Sequence, residues 1–272
     1  MLNYVIATYN GNKLEYTLQI QLQILYSLVM QNNLKYLSQI TIVCPPTKQK
    51  HESFEFYYQK DLWQSLFDKT EIKLVYLDYI GENNTASYDQ WLQAYLAYPE
   101  FEYYLFIEDD YTIHPSLINF DSQLVEYYEQ ELGEDKIGYM CSYAAKLHGF
   151  PHHAAISNGI MNNKTLKLLG DNILEDYYKL ARTTHCQIAF SKLFTQKGMN
   201  ILDMHNKFTA WFWCSGKSRL INYSDKDDSD FMFIPIQYLL SYYFVKSPPS
   251  TSTTSNMVSY PRYVIYGKSR YR

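Results

Sequence analysis

The chain has 272 residues, a net charge of -4, and 47% hydrophobic against 19% charged residues, the balance of a folded domain rather than a disordered segment. That charge gives no basis for general nucleic-acid binding. Its four cysteines, Cys44, Cys141, Cys186 and Cys214, are scattered without a CxxC pair, which argues against a structural zinc site and a dense disulfide framework. No apolar run reaches the length of a membrane span, and Met1-Leu2-Asn3-Tyr4 enters a strand without a basic leader, so a cytoplasmic protein is expected.

In chain order, Asn3 to Thr8 reads as a strand that ends in the polar turn Thr8-Tyr9-Asn10-Gly11-Asn12. Leu14, Leu18, Leu22, Leu25 and Val29 recur at helical spacing and predict an amphipathic helix ending near Asn32-Asn33. Ile40 to Cys44 is a second strand stopped by Pro45-Pro46, part of His51 to Phe67 is helical, and Ile72 to Tyr79 is a third strand. Ser87 to Tyr98 has helical character with Trp91, Ala94 and Tyr95 on one side. Tyr103-Tyr104-Leu105-Phe106-Ile107 then forms a continuous apolar run, the mark of a central strand covered on both faces. Further on, the pattern predicts a helix over 117–132, a strand over 136–143, and helices near 165–169, 173–182 and 184–197. Gly198 closes the last of these, and a short strand follows over 199–204.

Strands alternating with helices predict an α/β fold, a mostly parallel sheet with helices on both faces and right-handed crossovers. Such wiring puts the turns after Thr8 and Cys44 on the same sheet edge as Glu108-Asp109-Asp110, which follow the central strand at once. Three adjacent acids resist joint ionisation unless something positive sits among them. A divalent cation carrying a diphosphate meets that need, because hard cations take oxygen ligands from one or two carboxylates plus substrate phosphates. Ligands of open α/β sheets also bind beyond the carboxyl ends of the strands. The competing reading is a solvated acidic turn.

Three other stretches stand out. Leu147-His148-Gly149-Phe150-Pro151-His152-His153 is histidine-rich, and a zinc site there is disfavoured, since adjacent histidines point apart in an extended chain. Phe208 to Trp213 is too aromatic for a loop in water and is either packed in the core or a binding surface. Residues 246–272 read as a Ser/Thr/Pro-rich linker with a basic end.

Taken in order, these features resemble a nucleotide-sugar glycosyltransferase of the GT-A fold, closest in style to the family-2-like enzymes. Val5-Ile6-Ala7-Thr8-Tyr9-Asn10 is similar to their first strand and nucleotide-binding turn. Gly81-Glu82-Asn83-Asn84-Thr85-Ala86-Ser87-Tyr88-Asp89 is similar to the lead-in to the helix before their metal motif. Phe106-Ile107-Glu108-Asp109-Asp110 is similar to their DxD motif, and Ser157-Asn158-Gly159-Ile160-Met161 to the strand lining their sugar pocket. The likeness spans roughly residues 1–205. It implies one catalytic domain over 1–245, with a nucleotide-binding part over 1–115 and an acceptor-side part over 116–245. It also implies a nucleoside-diphosphate sugar donor, a glycan or other hydroxyl acceptor, Mn²⁺ or Mg²⁺, and no transmembrane segment, with peripheral membrane contact open.

The resemblance further implies donor contacts from Thr8, Tyr9, Asn10, Asn84, Ser87, Asn158 and Gly159. Asp110 becomes a direct metal ligand, with Glu108 as a second or water-mediated one and His205 as a late one. Asp109 faces the other way if the strand persists, towards the ribose or a sugar hydroxyl. Two departures qualify this. Cys44-Pro45-Pro46-Thr47 stands where such enzymes carry Asp-Asp-Gly-Ser, which leaves the base and ribose contacts unassigned. The helix before Gly198 begins His185-Cys186-Gln187 in place of the usual Glu-Asp pair. The catalytic base is then His185, or the Glu175-Asp176 pair one helix earlier, or is absent in a retaining enzyme. A non-catalytic glycan-binding or assembly protein on the same fold is the alternative. A sugar nucleotidyltransferase is less favoured because the first turn carries one glycine rather than a glycine-rich phosphate loop.

Overall fold

The computed structural model describes residues 1–8, 15–31, 33–45, 59–81, 87–114, 117–132, 137–145, 153–204, 211–214, 217–220 and 233–236. Strand β1 (Leu2–Ala7) lies between β2 (Leu37–Cys44) and β4 (Tyr103–Glu108), parallel to both, and β3 (Lys73–Asp78) extends the sheet beyond β2. On the other side of β4, β7 (His153–Asn162) runs antiparallel, followed by β6 (Gly138–Ala145) and β8 (Asn200–Asp203). The seven-strand order is β3-β2-β1-β4-β7-β6-β8, mostly parallel, with β7 the reversed strand among those described. The expected α/β sheet is therefore present.

Seven described helices connect the strands: α1 (Glu15–Gln31), α2 (Lys60–Phe67), α3 (Tyr88–Ala97), α4 (Phe120–Glu131), α5 (Asn163–Leu169), α6 (Ile173–Ala181) and α7 (Cys186–Thr195). None is long and apolar enough to cross a membrane.

The apolar runs of β1 and β4 are explained by two cores, one on each face of the sheet. Tyr4, Ile6, Leu105 and Ile107 point into one, with Leu18, Leu22 and Leu25 of α1 and Phe120 of α4. Val5, Ala7, Tyr104 and Phe106 point into the other, against Trp91 of α3 and Phe190 of α7. Strand side chains alternate, so a strand buried on both faces must be apolar at every position. In the last turn of α1, Leu28 is buried and Val29 only partly so, a shift of one position from the periodicity.

Two local devices stabilise this arrangement. Asp121 is fully buried at the start of α4, where its carboxylate accepts the backbone N–H groups of Tyr36 (2.6 Å), Leu37 (3.0 Å) and Ser122 (2.7 Å), tying α4 to the start of β2. Gly198 closes α7 with φ +72°. The N–H of Met199 reaches Phe194 O and that of Gly198 reaches Thr195 O, a Schellman closure that favours glycine in the left-handed position.

Two additional pairings lay outside the sequence reading. β5 (Tyr111–Ile113) pairs antiparallel with β11 (Phe233–Pro235), and β9 (Trp211–Cys214) with β10 (Lys217–Leu220). Part of the aromatic stretch is thus a strand. Residues 246–272, expected as a linker and tail, lie outside the described residues.

Candidate functional site

Register places the site. Ala7 is level with Val43 of β2 and Glu108 of β4, so β1, β2 and β4 end together on one sheet edge. The chain passes from β1 to β2 on one side, while β4 lies on the other, which makes the gap between β1 and β4 the topological switch point where such sheets bind ligands. Thr8 and the three acids meet there.

β4 ends at Glu108, and Asp109 and Asp110 form the turn into β5. The reading in which Asp109 faces away along a continuing strand is corrected on this point. Its N–H donates to Ala7 O at 3.0 Å, and Asp110 O accepts the N–H of Ile236 at 2.9 Å, so the turn is stitched to β1 on one side and to the end of β11 on the other. Asp109 is buried, whereas Asp110 and Glu108 are partly exposed.

The Glu108 carboxylate accepts a hydrogen bond from the Ser87 hydroxyl, just before α3. Its backbone N–H donates to Asn158 Oδ1 of β7 at 2.9 Å, and Ser142 of β6 holds Asn158 in turn by donating to its carbonyl at 2.8 Å. Ser87 and Asn158, two expected donor contacts, are thus brought to the acid turn. Gly159 pairs with Phe106 on one side and Cys141 on the other, and a Cβ there would lie 2.7 Å from Cys141 Cα. Close approach of β6 to β7 accounts for that glycine.

Two buried polar atoms here lack a hydrogen-bond partner: Asp110 Oδ1 and Asn158 Nδ2. Seven other buried side-chain atoms among the described residues share that condition, so the position of these two at the crevice, where a polar ligand would satisfy them, is what sets them apart. The oxygen-rich pair Glu108 and Asp110 fits a hard divalent cation in its donor chemistry and in this orphaned oxygen. Among the described residues no group of three His, Cys, Asp or Glu side chains forms a ready cage. A cation held here would take its remaining ligands from substrate or water.

The start of α7 faces the same end. Burial pushes the Cys186 thiol up to about 11, and the charges of Glu108 and Asp89 add to the effect. His185, the residue before the helix, makes no side-chain capping bond, and its Nδ1 lies 3.9 Å from Cys186 Sγ. Burial, then the charge of His153, lowers the His185 pKa below 6.5. Glu175 and Asp176 lie in the first turn of α6. Glu175 is exposed, and the Asp176 carboxylate pairs with Lys179 at 3.2 Å on the surface.

Tyr9, Asn10, Asn84 and His205 lie outside the described residues, as do His148 and His152. β8 does return to the expected edge: it runs parallel to β6, and Met204 N donates to Cys141 O at 3.0 Å.

Sequence reasoning overlooked the polar face of α3. Asp89 and Gln90 are buried beside Trp91. Asp89 accepts hydrogen bonds from the hydroxyls of Tyr79 and Tyr178, the latter at 3.2 Å, and so joins the end of β3 to α6. The available signal was an Asp-Gln pair directly before Trp91 at the start of a mostly apolar helix.

The sheet is thus a mostly parallel α/β sheet with a reversed strand beyond β4 and an acid-rich turn at the switch point. No protein-family model matches the sequence, and no curated protein matches it. Solved structures similar to it in outline include a glycosyltransferase involved in glycosylation of the major capsid of PBCV-1, at 9% identity and TM-score 0.44 over 76% of this chain and 84% of that one. The glycosyltransferase GlyE of Streptococcus pneumoniae TIGR4 is similar at 15% identity and TM-score 0.48, over 76% of this chain; the chain spans 45% of GlyE. A 4-diphosphocytidyl-2C-methyl-D-erythritol synthase is similar at 12% identity and TM-score 0.42, over 90% of this chain and 100% of that one. These likenesses concern fold outline, and the chemistry of the site rests on the chain's own residues.

Proposed function

We propose that the protein transfers a sugar from a nucleoside-diphosphate sugar, UDP-linked first and GDP-linked next, to a hydroxyl of a glycan or other acceptor. The observation that carries this reading is the buried, unpartnered Oδ1 of Asp110 beside Glu108, at the switch point between β1 and β4. Asp110 and Glu108 would hold Mn²⁺ or Mg²⁺, whose bound charge would stabilise the leaving diphosphate as a Lewis acid.

The rest of the chemistry falls to side chains. Ser87 and Asn158 orient Glu108 from two sides, so its carboxylate needs little reorganisation as charge develops. In a single displacement the acceptor oxygen bonds to the anomeric carbon while the bond to diphosphate breaks, and that electron pair leaves with the diphosphate. The acceptor proton passes to the imidazole of His185, which its lowered pKa keeps neutral near pH 7. His185 suits the role better than Asp176, whose carboxylate is engaged by Lys179.

The test is a thermal-shift panel of UDP-, GDP- and CDP-sugars on the full chain, each with and without Mn²⁺, followed by assay of donor hydrolysis. A metal-dependent rise in stability with one donor, and its hydrolysis, is the expected result. Binding without turnover favours the glycan-binding or assembly reading. Release of diphosphate from a nucleoside triphosphate and a sugar phosphate identifies a nucleotidyltransferase instead.

A further inference from the structure

The start of α3 makes three connections to the site edge. Ser87 donates to the Glu108 carboxylate, the Trp91 indole N–H donates to Ile107 O at 3.1 Å, and Gln90 holds the backbone of Thr8 from both sides. Gln90 Oε1 accepts the Thr8 N–H at 3.0 Å, and its Nε2 donates to the Thr8 carbonyl at 3.1 Å. A primary amide has the same donor–acceptor pair as a peptide unit. It therefore extends the hydrogen-bond ladder by one residue at the point where β1 ends. Both residues are buried, so water cannot easily replace a lost bond.

One helical turn on, Gln93 repeats the device at the surface. It accepts the Ile80 N–H at 3.1 Å and donates to Ile80 O at 2.7 Å, beyond the end of β3. The same chemistry thus occurs twice on one helix, once at the acid crevice and once away from it.

We propose that Gln90 is a positioning residue for the nucleotide donor. It holds the end of β1 in register with the Glu108 carboxylate, which Ser87 orients from the same helix start. The inference rests on the reading of this crevice as a nucleotide site. If Gln90 were only a fold contact, its loss and the loss of Gln93 would have the same consequence for ligand binding.

The experiment is calorimetric titration of the full chain with UDP, GDP and CDP in the presence of MnCl₂, for wild type, Gln90→Leu, Gln90→Asn and Gln93→Leu. Thermal unfolding of each variant is recorded beside it. For the nucleotide that wild type binds, Gln90→Leu is expected to weaken affinity about tenfold or more, the scale of losing one or two buried hydrogen bonds. Gln93→Leu should stay within about twofold. Gln90→Asn, which keeps a neutral amide but is one methylene too short to reach both Thr8 groups, should fall between them and carries the test if Gln90→Leu fails to fold. Unchanged affinity in both Gln90 variants overturns the inference, as does an equal loss in Gln93→Leu. A wild-type chain that binds none of the three nucleotides overturns the nucleotide-site reading and the inference with it, which separates the two failures.

Discussion

The backbone N–H of Glu108 donates to the side-chain oxygen of Asn158 at 2.9 Å, so the backbone at the end of β4, from which the Glu108 carboxylate projects, is held by the neighbouring strand, which runs the other way. An isosteric Asn158→Asp change keeps an acceptor in place but sets a second carboxylate beside Glu108 in a buried position. It should cost about 3 kcal/mol at neutral pH, the scale of an uncompensated buried charge. Burial and the like charge raise the introduced group's folded pKa above its unfolded value, so the variant should regain stability as pH falls through that raised value. Urea unfolding at pH 5 and pH 8 checks this. Equal loss at both would show that Glu108 does not sense the new charge.

Asp110→Ala separates site from scaffold. Its Oδ1 is buried without a hydrogen-bond partner, so removing it takes away a desolvated oxygen and no described side-chain contact. The melting temperature should hold or rise slightly, while the Mn²⁺-dependent stabilisation by nucleotide disappears. A variant that keeps the full metal response would sink the assignment of Asp110 as a metal ligand.

His185 gives a pH prediction. Its folded pKa is lowered, first by burial and then by His153, so the neutral ring is favoured in the fold. Transfer that uses it as base should therefore be retained down to a pH below 6.5 and lost as pH falls through the lowered value. The sign for stability is the same: the unfolded chain binds the proton more readily, so stability declines as pH drops from 6.5 through the folded pKa. His153→Asn should move the acid limb of the rate profile upward, but only in part, because burial remains. A pH profile that does not move in His153→Asn and persists in His185→Ala would rule this base out.

Gly159→Ala tests the close approach of β6 and β7. The added methyl would sit 2.7 Å from Cys141 Cα, a distance that real side chains do not tolerate. The strands must part, and a loss of about 3 kcal/mol is expected from overpacking. Because Gly159 neighbours Asn158, nucleotide binding should weaken as well. Denaturant midpoints of the variant and wild type decide the first point, and a midpoint within error of wild type would contradict the packing.

The sheet was readable because its signals are local. Continuous apolar runs at Tyr4 to Ala7 and Tyr103 to Ile107 mark strands buried on both faces, and the α/β alternation restricts how they can be wired. That wiring alone brings Thr8 to the acids. The reading erred where a strand's end depends on partners far along the chain. Alternation past Glu108 had to be assumed, and the bonds to Ala7 and Ile236 that turn the chain at Asp109 and Asp110 were not visible. The β5–β11 pairing was hidden for the same reason, since a three-residue strand carries almost no periodicity.

For the site, the acids that follow a buried strand nominated Glu108 and Asp110 against the competing solvated turn, and Ser87 and Asn158 entered through the resemblance to GT-A enzymes. What each of these does was a matter of three-dimensional neighbours. Ser87 and Asn158 turned out to grip Glu108, Gly159 answers to the backbone of β6, and Asp176 is engaged by Lys179 while His185 lies beside His153. Gln90 gave no sign of its contact with Thr8, because a glutamine in a helix reads as surface until the helix is docked. Composition and periodicity report on burial and local geometry, whereas a hydrogen bond across 82 residues of chain exists only after the elements have packed.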